Sequence, residues 1–506
     1  MGASLSPGAD DAGDARPRLT LALTIAALLH WPLFVRPLQD LDEPNFASIA
    51  ALCHAGGTLY RDGGVDNKPP GIFWVYELGF ALGGRYAMVA VHLLCLAAVL
   101  GTTLLLGKIG QRIGGARVGF YSALGYGIFS MACDPRSLAA NTENFMALPL
   151  AFAMWLLVRD DASRPRLFVV GAAIAVACLF KQVAVVTLGV VALAALLPPD
   201  VARRRRGGPV AELLGCGCGF VAVFAVVAAL LATRHALGDA VQWTVFSLVS
   251  HYGRAAWAEP AGRQLVDALA SVALFVGTAL PICVAAARAS RRPSRHGRAG
   301  WLVVAWLGLS ALGVTAGGHF SDHYFIQLLS PVALLAGLEL GARPRRSWNV
   351  ALGAFAVALM LFAALVDPIT FRPFWQTTRP DYRALAAAID ARTRPDERIF
   401  VWGNAPAIYV LADRLPASRF VGFLRGLRRS EGQPPEAAWD AGPVVWSLLA
   451  EDFARHPPAL IIDTATGDYR EFGHYPLRRF PALQALVDAG YVRDSVVEGA
   501  TLYRRR

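Results

Sequence analysis

The sequence predicts a polytopic α-helical membrane protein of about eleven transmembrane helices, with a C-terminal α/β domain outside the cytoplasm. Three observations carry this expectation. Apolar runs of bilayer length recur from residue 19 to residue 367, basic residues fall on alternate loops, and the composition changes after residue 367. The bulk numbers agree: 55% of residues are hydrophobic and only 17% charged, with a mean hydropathy of +0.43, against about 25% charged in a soluble protein. A formal charge of +11 would suggest nucleic acid in a soluble chain. Here the arginines sit in short loops between apolar runs, and no basic face with interleaved aromatics is present, so nucleic acid is not a predicted partner.

Residues 1–18 read as a cytoplasmic tail. Arg16 and Arg18 before an apolar run mimic the layout of a signal peptide, but no small-residue cleavage pattern follows, so this run reads as the first membrane helix. Apolar runs lie near 19–36, 86–107, 117–133, 143–158, 167–181, 183–198, 209–233, 264–287, 301–316, 324–341 and 348–367. The fifth and sixth are read as two segments because Leu179-Phe180-Lys181-Gln182 would otherwise bury a charge in lipid. Residues 72–82 are apolar but too short to span, and they hold Glu77. If they crossed, every later loop would change sides. Without that crossing, one side receives Lys108, Arg112 and Arg117, then Arg159, Arg164 and Arg166, then Arg203–Arg206, then Arg288, Arg291, Arg292, Arg295 and Arg298, then Arg343, Arg345 and Arg346. The positive-inside rule gives that side to the cytoplasm. Residues 72–82 then read as an interfacial helix, the loop 37–85 faces outward, and 19–367 form the transmembrane domain.

Residues 368–506 read as a small α/β domain. Arg398–Gly403 and Ala459–Asp463 read as short buried strands; Asp381–Arg392, Pro406–Ala412 and Val444–Ala454 read as amphipathic helices. An odd number of crossings from a cytoplasmic start places this domain outside. The cysteines, Cys53, Cys95, Cys133, Cys178, Cys216, Cys218 and Cys283, show neither zinc spacing nor a disulfide framework.

Within this plan residues 37–71 stand out. They gather Asp40, Asp42, Glu43, Asp62, Asp66 and Lys68 directly after the first apolar run. Ionisable groups beside hydrocarbon are costly and point to a site. Asp42-Glu43, Gly57-Thr58-Leu59-Tyr60-Arg61-Asp62 and Asn67-Lys68-Pro69-Pro70-Gly71 resemble the first outer loop of the dolichyl-phosphate-mannose protein mannosyltransferase and aminoarabinose transferase family, of the glycosyltransferase C superfamily. The resemblance continues at Asn141-Thr142-Glu143, at Leu179-Phe180-Lys181-Gln182, at Gly318-His319 through His323-Tyr324, and at Val401-Trp402-Gly403 and Tyr409.

The resemblance implies an integral-membrane enzyme that transfers a sugar from a polyprenyl-phosphate donor to an extracytoplasmic acceptor: glycolipid, polysaccharide or protein. The host membrane would be the inner membrane of a bacterium, with the active site facing outward. An acceptor hydroxyl must lose its proton to a placed carboxylate, and Asp42 takes that role by correspondence with the first acidic residue of the family pair. Glu43 takes an orienting or acceptor-binding role. Asp42 followed by Glu43-Pro44 also reads as a helix N-cap. A departing phosphate needs fixed positive charge; Lys68, Lys181, His323 and Tyr324 are the candidates, while Glu143 and His319 are candidates for acceptor or sugar binding. Lys68 also reads as a headgroup-snorkelling lysine, Lys181 as an interfacial anchor, and Asn141-Thr142-Glu143 as a helix cap. No cofactor is expected. His319, Asp322 and His323 lack the Glu of a zinc-protease motif, so a divalent metal is not favoured. Trp243, His251, Tyr252 and Trp257 suit either sugar stacking or an aromatic belt. A transporter or flippase of lipid-linked saccharide is the alternative; it predicts paired halves with matching interrupted helices, which the sequence lacks. A polysaccharide polymerase or ligase would share the donor and place its site in later outer loops.

Overall fold

The computed structural model describes residues 9–132, 135–159, 164–198, 208–246, 261–316, 320–366, 380–422 and 443–506. In chain order the helices are α1 (Ala9–Leu29), α2 (Glu43–His54), α3 (Gly71–Gly83), α4 (Ala87–Gly114), α5 (Ala116–Phe129), α6 (Thr142–Leu157), α7 (Arg164–Cys178), α8 (Leu188–Leu196), α9 (Gly208–Thr233) and α10 (Leu237–Val241). They continue with α11 (Ala261–Thr278), α12 (Leu280–Ser290), α13 (Gly297–Thr315), α14 (Ile326–Ala342), α15 (Arg346–Leu365), α16 (Tyr382–Asp390), α17 (Ala407–Leu411), α18 (Pro443–Arg455) and α19 (Pro481–Gly490). The strands are β1 (Ile399–Trp402), β2 (Leu460–Asp463), β3 (Tyr491–Val497) and β4 (Ala500–Arg505). The chain divides into two compact units: residues 1–37, 92–230 and 261–366 form the first, and 38–91, 231–260 and 367–506 the second.

The first unit is a helical bundle. Across both units, counting α3 and α4 as one run from Gly71 to Gly114, six helices among the described residues are long and apolar enough to cross a bilayer, or seven if the bent pair α11–α12 counts as one span. Three shorter apolar helices, Thr142–Leu157, Pro165–Cys178 and Gln182–Leu196, accompany them. The run expected over 264–287 is broken: α11 and α12 meet at 97°. The break falls just before Pro281, which cannot donate a helical N–H. The α14 helix is the hub, with 83% of its apolar window buried. Its Gly337 and Gly341 lie against Ser122 and Val118 of α5 so closely that a Cβ on either would collide. Small residues at i and i+4 let membrane helices approach this near. The same device joins α7 to α9, where Gly171 meets the Cys216 carbonyl and Gly219 the Phe168 carbonyl. Between α7 and α8 the chain opens at Lys181, whose backbone is extended (φ −151°, ψ 124°); the charge ends the helix as expected.

The second unit holds a four-stranded sheet in the order β1-β2-β4-β3. Strands β1 and β2 are parallel, with Ile399 opposite Leu460 and Trp402 opposite Asp463. Both are buried along their length, as their apolar sequences Ile-Phe-Val-Trp and Leu-Ile-Ile-Asp require. Strands β3 and β4 form a hairpin that sequence reading did not find. Its Glu498-Gly499 turn has φ +49° and +85°, the left-handed pair that suits two-residue hairpins. Phe400, Trp402, Phe420, Phe453, Phe472 and Phe480 make the core, joined by Val65 from the first loop. The α3 helix belongs to this unit. Gly84, at φ +51°, turns the chain so that Gly79 and Gly83 of α3 face Val91 and Ala90 of α4.

Candidate functional site

In the second unit the acidic loop is built around α2. Asp42 precedes this helix but makes no side-chain capping bond. The capping falls to Asp40, which is buried and whose Oδ1 accepts the N–H groups of Asp42 (3.0 Å) and Glu43 (2.8 Å). Glu43 is fully buried and accepts the Gln39 N–H at 2.5 Å. Asp40 and Glu43 thus fix the loop that leaves Asp42 half-buried at the helix start. Asn45, one turn on, donates to Asp66 Oδ2 (2.9 Å), and Asp66 Oδ1 accepts the Lys68 N–H (2.9 Å). Tyr60 donates its hydroxyl to the Lys68 carbonyl at 2.7 Å. The Lys68 ammonium lies 6.0 Å from the Phe46 ring centroid. Edge-on contacts of Phe46 with Phe73 and Tyr76, at 5.8 and 5.7 Å, fasten α2 to α3. The Val65 N–H reaches the Arg419 carbonyl (3.1 Å), and Arg419 is itself held by Asp452 in a buried two-pronged pair. Burial, with Glu77 and Asp62 adding negative charge, pushes the Cys53 thiol up to about 12, so it stays protonated and inert at neutral pH.

In the first unit four of the singled-out groups converge. Glu143, in the first turn of α6, is 1% exposed. Its Oε1 forms an ion pair with Lys181 Nζ and faces His323 Nε2 at 3.9 Å; its Oε2 accepts from the Thr142 hydroxyl at 2.8 Å. The Lys181 ammonium also sits 3.2 Å from the Tyr324 ring centroid. His323 packs edge-on to Tyr324, 4.9 Å between centroids, and Phe145 stacks on Phe180 at 5.7 Å. Asn141 makes no capping bond through its side chain, so Glu143 serves Lys181 and not the helix end. Asp322 turns away: it accepts from Ser271 of α11 at 2.9 Å, and Ser271 also donates to the Phe320 carbonyl. This ties the His323–Tyr324 turn to α11. Thr142 was not singled out by sequence, although it lies inside the Asn141-Thr142-Glu143 motif.

His319 lies outside the described residues, as do His251, Tyr252 and Trp257. Trp243 packs edge-on against Phe420, 6.5 Å between centroids, in the core of the second unit. Among the described residues, no three His, Cys, Asp or Glu side chains gather closely enough to hold a metal ion.

Taken chemically, each cluster holds ionised groups that a bare apolar environment would reject. The fold has relatives among solved structures. It is shared over 96% of this chain and 97% of the other with ArnT from Cupriavidus metallidurans bound to undecaprenyl phosphate, at 14% identity and a TM-score of 0.62. The apo state of that protein gives 13% identity, coverage of 97% and 98%, and a TM-score of 0.61. An oligosaccharyltransferase from Archaeoglobus fulgidus, solved with zinc and sulfate, gives 12% identity, coverage of 96% and 73%, and a TM-score of 0.55. The chain shares the fold of these solved structures. Within it, residues 67–229 match the family model described as dolichyl-phosphate-mannose-protein mannosyltransferase, in agreement with the resemblance carried by the motifs. That stretch contains Lys68, Glu143 and Lys181. No curated protein matches the chain by sequence.

Proposed function

We propose that the protein moves a sugar from a polyprenyl-phosphate-linked donor to an acceptor on the outer side of the cytoplasmic membrane of a bacterium. About eleven crossings, with residues 72–82 in the interface and the segment 368–506 outside, complete this reading. The observation that carries it is the buried Glu143–Lys181 pair beside His323 and Tyr324. A lysine balanced by one carboxylate and an aromatic face keeps its charge in an apolar bundle, ready for an arriving phosphate. That ArnT binds undecaprenyl phosphate supports the same donor chemistry here.

In this mechanism Asp42 removes the acceptor proton, and Glu43 and Asp40 hold its loop. Lys68, Lys181, His323 and Tyr324 stabilise the phosphate that leaves. Glu143 and His319 take the sugar or acceptor, and the transfer inverts at the anomeric carbon with no metal or with only weak dependence on one. The carboxyl proton leaves Asp42 to solvent as the free polyprenyl phosphate departs.

Asp42→Asn tests the assignment. Turnover falls about 10²–10⁴-fold, the usual loss for a general base, while thermal unfolding changes little because Asn keeps the shape of Asp. Mass spectrometry of envelope glycans from a deletion strain identifies the product that wild type restores and Asp42→Asn does not. Near-normal turnover by the purified variant would overturn Asp42 as base.

A further inference from the structure

Two stretches far apart in the chain bring arginines to one end of the first unit. The last turn of α12 and the segment after it carry Arg288, Arg291, Arg292 and Arg295. The connection from α14 to α15 carries Arg343, Arg345 and Arg346. They meet in space. The Arg288 guanidinium lies 5.5 Å from the ring centroid of Trp348, in the first turn of α15. Glu339, in the last turn of α14, reaches Arg343 at 3.6 Å. Arg288, Arg291, Arg292, Arg295, Arg345 and Arg346 are exposed and form no ion pair among the described residues.

So many uncompensated guanidinium groups repel one another unless an anion lies among them. Their surroundings say which anion. Trp301 on α13 and Val350 on α15 stand beside the rim with 47% and 63% of their surface exposed. These helices are of membrane length. Tryptophan at such a position marks headgroup depth, and guanidinium pairs well with phosphate.

We infer that this rim docks acidic phospholipid headgroups. A lipid phosphate seated there bridges the 288–295 and 343–346 stretches and braces α12, α14 and α15 against one another. Membrane surface charge contributes roughly five-fold in partitioning per arginine.

The full-length protein in nanodiscs tests this, with phosphatidylcholine alone or with one third phosphatidylglycerol. The thermal midpoint rises in the acidic discs, and the rise disappears near 1 M salt, where the Debye length is only about 3 Å. Replacing Arg291, Arg292, Arg345 and Arg346 by Gln abolishes the rise; replacing them by Lys keeps it. Arg478→Gln with Arg479→Gln, in the second unit, also keeps it. Native mass spectrometry of the wild type in mixed lipid shows retained phosphatidylglycerol, which reads selectivity even if the Gln variant fails to fold. Equal midpoints in the two discs, no retained acidic lipid, or an equal rise from inorganic phosphate on neutral discs would each overturn the inference.

Discussion

The Glu143–Lys181 pair sets up an unequal response to its two single substitutions. With 1% of Glu143 and 9% of Lys181 exposed, neither charge has bulk water to fall back on. Lys181→Met leaves a carboxylate with the Thr142 hydroxyl at 2.8 Å and His323 at 3.9 Å. Removing one member of a buried pair costs about 3–5 kcal/mol. Glu143→Gln is milder. Lys181 keeps the face of Tyr324, and a desolvated cation over a ring gains about 2 kcal/mol, so the loss falls to roughly 1–3 kcal/mol. The double variant Lys181→Met/Glu143→Gln strands no charge and sits within about 1–2 kcal/mol of wild type. The cycle therefore closes with a coupling of about 4–5 kcal/mol. Unfolding in a fixed detergent, followed by tryptophan fluorescence, measures all four corners. Turnover fails in the double variant although its stability returns, because the phosphate contact is gone. Additive single losses, or a Lys181→Met loss under about 1 kcal/mol, would refute a charge-compensated pair.

Three further outcomes are expected. Lys68→Ala raises the donor concentration needed for half-maximal rate ten-fold or more, since a charge-assisted contact contributes about 1.5–3 kcal/mol, and leaves acceptor dependence unchanged; steady-state kinetics with each substrate varied separates this from a headgroup anchor. Gly219→Ala drives a methyl into the Phe168 carbonyl and lowers stability by about 1–3 kcal/mol, whereas Gly217→Ala, with nothing within 4 Å, does not; thermal unfolding of the two compares them. Burial pushes the Asp463 carboxyl up to about 6, so the folded chain holds a proton that the unfolded chain releases. Stability of the second unit then falls as pH rises from about 4 to 6, by up to about 3 kcal/mol, and Asp463→Asn flattens that slope in a pH series of unfolding curves.

Hydropathy made the apolar helices legible, and a single charge made the opening at Lys181 legible, because a charge in hydrocarbon has few alternatives to ending a helix. The 97° bend before Pro281 was not. Proline alone does not decide: Pro149 and Pro331 stand inside unbroken helices. The strands β1 and β2 announced themselves as apolar runs, while Tyr491–Val497, interrupted by Arg493 and Asp494, hid an edge strand whose polar residues face out. The motif residues were legible one by one. Their division of labour was not: Asp40 and Asp42 lie two apart, and only the folded loop shows that the first holds the helix start. Nor does any local pattern reveal that Glu143, at the start of α6, and Lys181, at the break after α7, form a pair.

The second unit is assembled from three stretches of chain, 38–91, 231–260 and 367–506. The Val65–Arg419 hydrogen bond joins partners made at opposite ends of synthesis. Contacts of such high order form late. The acidic loop therefore emerges first from the ribosome, yet acquires its final neighbours only after the last membrane helix and the sheet have been translated. Until then Asp40, Glu43 and Asp66 keep only the hydrogen bonds made within the loop and α2. Maturation of this loop is consequently an end-of-translation event, and chains interrupted near residue 366 carry the loop without the neighbour that Val65 requires.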